Sequence, residues 1–159
     1  MNRPITFRGK CSKSNEWVYG DLIHGVGSCS GKYYILPDKI NLAYVKHCDP
    51  LNGVAVVQET IGQYIGLEDM KGNRLFVGDI VCNFNHLEWE WRGVVKFSHG
   101  LFGVEWLANV KQQSMVGAWG QKHNLRRLDD DILERQVLVG NIFDNPELLI
   151  DPSEKLKST

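Results

Sequence analysis

The chain lacks any uninterrupted apolar run near the roughly 20 residues that a membrane-spanning helix needs. Its first residues, Met1-Asn2-Arg3-Pro4-Ile5-Thr6, lack the apolar core of a signal peptide. The expectation is a cytoplasmic protein that makes no membrane contact. Cysteine is sparse: Cys11, Cys29, Cys48 and Cys82 lie far apart and form no C-x-x-C pair, which suits reduced thiols better than a disulfide framework. An excess of either charge is missing too. Eighteen Lys and Arg stand against nineteen Asp and Glu, a formal charge of -1, so no overall positive field draws the chain onto nucleic acid. A local basic patch is not excluded by that sum.

What is present is ordinary globular material. Of 159 residues 43% are hydrophobic and 23% charged, which excludes a wholly disordered or collagen-like chain and suffices for a core. This length accommodates one domain or two small lobes. Lobes of about 70 residues are only marginally stable alone, so two of them are expected to lean on each other.

Strand signals dominate the reading. Ile5-Thr6-Phe7-Arg8 alternates apolar and polar residues with period two and ends at Gly9. After a polar turn, Trp17 to Ile23 is rich in aromatic and β-branched residues and reads as a second, antiparallel strand. Gly25, Gly27 and Gly31 make a loop before a third strand, Lys32 to Leu36, which Pro37 ends. Apolar pieces at Leu42 to Val45 and Val54 to Val57 flank the turn Asp49-Pro50-Leu51-Asn52-Gly53, and either reads as a strand. Glu59 to Leu67 alternates again. The Asp69-Met70-Lys71-Gly72-Asn73 turn then opens a second β-rich lobe.

That second lobe reads as a meander. Asp79 to Phe84 is followed by a polar aromatic loop, Asn85 to Trp91, then Gly93 to Phe97, a Ser98-His99-Gly100 turn and Leu101 to Leu107. Asp131 and Glu134 suit the cap of one helical turn before the strand Val137 to Ile142. Asn145-Pro146-Glu147 suits the start of a short terminal helix, and 151–159 reads as a fraying tail. The fold expected is therefore all-β, with an N-terminal antiparallel lobe over 1–68 and a C-terminal lobe over 69–150 that suits a small SH3-like barrel.

Several of these pieces coincide with a known pattern: Phe7-Arg8-Gly9-Lys10, Trp17-Val18-Tyr19-Gly20-Asp21-Leu22, Thr60 to Asp69, Gly78-Asp79-Ile80-Val81, and Val139 to Leu149. Their order and spacing over residues 5–149 resemble the YopX family, small proteins encoded by bacteriophages and prophages. The resemblance implies a mainly β protein in a bacterial cytoplasm and a phage setting. It supplies no catalytic residues. The stretch 83–125 carries the least family signal.

Chemical motifs are thin. His47 beside Cys48, and His24 five positions before Cys29, lack the paired spacing of a structural zinc site, so no metal is expected. Cys29 near His24 is the only local candidate for a nucleophile beside a base, and a mobile loop is the reading expected there. Asp129, Asp130 and Asp131 are absorbed by the cap rather than by magnesium. The glycines match no phosphate-binding pattern and no cofactor is expected. Trp89 and Trp91, two apart in an extended chain, make a candidate interaction surface with Arg92 and Lys96. A protein contact is the first reading of that surface, and stacking of single-stranded nucleic acid is the second. Arg8 sits among apolar strand residues and is expected to tether the lobes through Asp69 or Asp79, the alternative being an ordinary edge-strand charge. With no convergent catalytic set, the chain reads as a non-enzymatic accessory protein whose strand edges favour a homo-oligomer or a phage or bacterial protein partner.

Overall fold

The computed structural model describes residues 4–25, 30–37, 53–85, 89–106, 125–127 and 136–150. Over these residues the protein is all-β, with eleven strands in two antiparallel sheets, two 3-10 turns and no α-helix. Two compact units are present, Met1–Gly66 and Leu67–Thr159.

The first sheet has the order β4-β3-β2-β1-β5-β6. Its strands are β1 (Phe7–Lys10), β2 (Trp17–His24), β3 (Tyr33–Pro37), β4 (Val54–Val56), β5 (Gly62–Glu68) and β6 (Arg74–Phe76). Alternation explains its packing. Phe7 and Gly9 on β1 pair with Gly20 and Val18 on β2, so these residues share one face with Leu22. That face carries a core of Cys11, Val18, Ile35, Val54 and Val56, against which Phe7, Leu22, Tyr33 and Ile61 pack. Each such fully buried aliphatic side chain contributes about 1.5 to 3 kcal/mol. Gly9 lets the strand pack closely, since a Cβ there would stand 3.1 Å from the Val56 Cβ and push it back by a few tenths of an ångström. Residues Gln58–Thr60 form a 3-10 turn where alternation suggests a strand. The Thr60 hydroxyl explains the departure: it donates to the Val57 carbonyl at 2.7 Å and accepts the Lys10 N–H at 2.8 Å. β5 accordingly starts at Gly62.

The second sheet has the order β10-β9-β8-β7-β11. Its strands are β7 (Asp79–Asn85), β8 (Trp89–Ser98), β9 (Leu101–Trp106), β10 (Leu125–Arg127) and β11 (Gln136–Asn141). Among the described residues this order is linear, so the sheet is open where an SH3-like barrel is expected. A barrel requires first and last strands to meet through accumulated tilt and stagger, which local patterning does not encode. The polar aromatic loop expected over Asn85 to Trp91 is also corrected: β7 runs to Asn85 and β8 begins at Trp89, these two residues facing each other in the ladder.

Consecutive residues Ile80, Val81 and Cys82 are all buried, as are Val94 and Val95. Neighbours on a strand point to opposite faces, so this sheet is covered on both. Gly93 on β8 lies opposite Trp106 on β9, and a Cβ at Gly93 would meet the Val104 Cγ1 at 2.3 Å and the Trp106 ring at 2.9 Å. The expected terminal helix is a 3-10 turn, Pro146–Leu149. Asn145 does not cap it with its side chain, because its Oδ1 accepts the Asn141 N–H at 3.3 Å instead. The piece Leu42 to Val45, the turn Asp129 to Glu134 and the tail 151–159 lie outside the described residues.

Candidate functional site

Polar residues of the family-like blocks are occupied in turns. Asp69 follows β5, and both its carboxylate oxygens are engaged. Oδ1 accepts the N–H groups of Lys71 and Asn73 at 2.8 Å each, while Oδ2 accepts Asn73 Nδ2 at 3.0 Å and the Leu138 N–H of β11 at 2.9 Å. Burial pushes this carboxyl upward, but the hydrogen bonds from Leu138, Asn73 and Lys71 outweigh it and hold the group below its ordinary value. Asp79 Oδ2 accepts the Phe76 N–H at 2.7 Å across the turn between β6 and β7. Gly78 in that turn has φ +91°, a conformation that glycine adopts without steric cost. Its N–H donates to the Val95 carbonyl and its carbonyl accepts the Ile142 N–H, both at 2.9 Å.

The Val139 to Leu149 block is tied in the same way. Asn141 Oδ1 accepts the N–H groups of Phe143 at 3.0 Å and Asp144 at 2.9 Å, and Asn141 Nδ2 donates to Asp144 Oδ2 at 2.8 Å. Gly140 leaves room for Asn145, whose Oδ1 would be 2.4 Å from a Cβ there. These carboxylates and amides close turns around buried strands, and such bonds contribute about 0.5 to 3 kcal/mol each depending on charge.

Among the sequence candidates, Trp89 and Trp91 lie on β8, paired with Asn85 and Asn83, and their side chains lie outside the described part. Arg92 is half-buried, and its guanidinium donates to the Leu148 carbonyl at 3.2 Å, joining β8 to the terminal 3-10 turn. Lys96 forms an ion pair with Glu105 on β9. Two of the four surface residues thus hold charges engaged within their own unit. Arg8 is buried on β1, an interior strand between β2 and β5, so it is no edge-strand charge. Its guanidinium stands 4.6 Å from the centre of the Trp17 ring, and the Lys10 ammonium stands 5.5 Å from it.

His24 stacks on Tyr33 with ring centres 4.9 Å apart. Cys29, His47, Cys48 and Asp129 to Asp131 lie outside the described residues, among which no three metal-binding groups converge. Cys11 and Cys82 are buried and not joined in disulfides. Burial raises the Cys11 thiol, and hydrogen bonds from Ser14 and Lys13 bring it below its usual value.

Sequence reasoning misses the tip of the β8–β9 hairpin. The turn residues His99 and Gly100 have φ of +53° and +79°, the pattern of a type I′ turn, whose twist matches that of the flanking strands. The Ser98 hydroxyl lies 2.8 Å from His99 Nδ1. Phe97 faces Phe102 across the ladder with ring centres 4.9 Å apart. Phe97 is 58% exposed, whereas Val95 and Val104, one pair back along the same face, are fully buried; Leu101, on the opposite face, is 38% exposed. Two aromatics immediately flanking a turn were the readable signal.

The chain matches the family model described as YopX protein over residues 6–150. Comparison with curated proteins gives no match. Among solved structures, the chain is similar to protein EF1440 from Enterococcus faecalis, with 18% identity and a TM-score of 0.49 over 94% of this chain and 100% of that one.

Proposed function

The chain belongs to the YopX family, and from that premise we propose that it is a non-enzymatic accessory protein of a phage or prophage, acting in the bacterial cytoplasm by binding a protein partner. The contact assigned is the tip of the β8–β9 hairpin. The observation that carries this reading is the exposed Phe97 beside fully buried neighbours on the same face. Burying the exposed part of a phenylalanine in a partner contributes about 1 to 2 kcal/mol, and large rigid rings commonly anchor protein interfaces. The turn-locking roles of Asp69, Asp79, Asn141 and Asn145 further support a scaffold over a reaction centre.

Nucleic acid is the weaker reading. Stacking of single strands calls for aromatic rings beside cations that meet phosphate, whereas Lys96 is paired with Glu105 and Arg92 with a carbonyl. The test is affinity capture from phage-carrying cells with wild type and Phe97→Ser as baits, with and without nuclease. The expected result is a defined protein held by wild type after nuclease treatment and lost by a Phe97→Ser bait of unchanged fold. Equal capture by both baits would overturn the hairpin assignment. A steep fall of DNA affinity with salt in a parallel titration would move the reading to nucleic acid.

A further inference from the structure

Among the described residues β10 and β11 are the outer strands of the second sheet. An edge strand presents a row of outward N–H and C=O groups with which any extended chain can pair, and charge, proline and shortness are common deterrents. β10 has three residues, two of them Arg126 and Arg127. β11 is Gln136-Val137-Leu138-Val139-Gly140-Asn141, with neither charge nor proline. Its register with β7 shifts between Leu138 and Gly140, which disrupts only its later half.

The earlier half is covered by the turn that follows β5. Met70 N–H donates to the Gln136 carbonyl at 3.2 Å, and Leu138 N–H donates to Asp69 Oδ2 at 2.9 Å. In an antiparallel ladder alternate residues direct their backbone groups to the same side, so the Gln136 carbonyl and the Leu138 N–H are the pair an added strand would take. The turn holds its shape by itself, because Asp69 also binds the N–H groups of Lys71 and Asn73, and Gly72 N–H donates to the Asp69 carbonyl.

We propose that the Asp69–Met70 turn is a guard on β11, and that its removal opens this edge to β11 of a second copy of the chain. A second copy suits the edge because six uncharged residues pairing antiparallel with themselves place no like charges opposite one another. The guard is independent of the hairpin reading, since it concerns β11 and not the β8–β9 tip. Asp69 acts here as a positioning residue.

The experiment uses the full chain as wild type, Asp69→Ala and Met70→Pro, each measured by light scattering and by amide exchange at Leu138 over a range of concentrations. Met70 is the second residue of a four-residue turn, a position that favours proline, and its side chain is exposed, so Met70→Pro removes one donor and little else. For Asp69→Ala the expected mass rises to twice the wild-type value with concentration. Leu138 exchange in dilute solution should rise about tenfold and fall again as copies associate. Met70→Pro should shift both readouts the same way by a smaller amount. Folded variants that keep the wild-type mass throughout, or that associate with Leu138 still open, would overturn the proposal. If Asp69→Ala does not fold, Met70→Pro decides by the same two readouts.

Discussion

Strand β2 of the first sheet and β7 of the second solve burial differently. In the first, β2 alternates buried Val18 and Gly20 with exposed Tyr19 and Asp21, so one face of that strand meets a core and the other meets water. In the second, Ile80, Val81 and Cys82 are buried in succession, and both faces are covered. A polar side chain has room on the face of the first sheet, where Arg8 and Lys10 stand over Trp17. At strand ends, polar groups are bonded into turns instead: Asp69 after β5 of the first sheet, Asp79 at the start of β7, and Asn141 and Asn145 after β11. The difference teaches that a cluster of acids and amides at turns signals a doubly covered sheet as readily as it signals chemistry. Among the large apolar side chains that the second unit leaves to solvent are Met70, Phe97, Leu101 and Ile150.

Substitutions sharpen this contrast. The largest effect is expected for Gly20→Ala, because a Cβ there would lie 1.9 Å from the Leu36 carbonyl oxygen at a φ of +155°. Backbone must move, the pairing of β2 with β3 is lost locally, and denaturant unfolding should show a loss of about 3 kcal/mol or more. Gly93→Ala tests the doubly covered sheet. The clash there is with the fully buried Val104 side chain and the Trp106 ring, with the Glu105 carbonyl oxygen 3.1 Å away, so a loss of about 1 to 3 kcal/mol is expected by the same measurement. Phe97→Ser should change stability by about 0.5 kcal/mol or less, since the ring is mostly in water. A large loss there would mean that the tip is part of the core.

Much of the fold is legible in the sequence where the period is two. The hairpin of β1 and β2, the turn after β5, and the meander of β7 to β9 follow from alternation and turn residues alone. The departures have local causes. Asn85 and Glu90 are polar enough to read as loop, yet they pair in β7 and β8. Thr60 fits a strand by type but spends its hydroxyl on Val57. Asn145 fits a cap, but Asn141 claims its side chain. The candidate surface was the least legible part. Arg92 finds its partner 56 positions away, and Lys96 finds its own across a ladder, so neither engagement is visible in a linear pattern.

The central claim is that the polar blocks of this chain lock turns rather than perform chemistry, and Asp69 tests it most directly. Its folded-state pKa is lowered, so its contribution is present above the unfolded value of about 3.9 and is lost as pH falls through the folded value. The decisive measurement is unfolding of wild type and Asp69→Ala between pH 7 and pH 3. The account predicts that the variant is less stable by about 2 to 4 kcal/mol at pH 7, with the gap narrowing once the pH drops below the ordinary carboxylate range. A variant as stable as wild type, or more stable, is the usual response of a strained active-site residue and would contradict it.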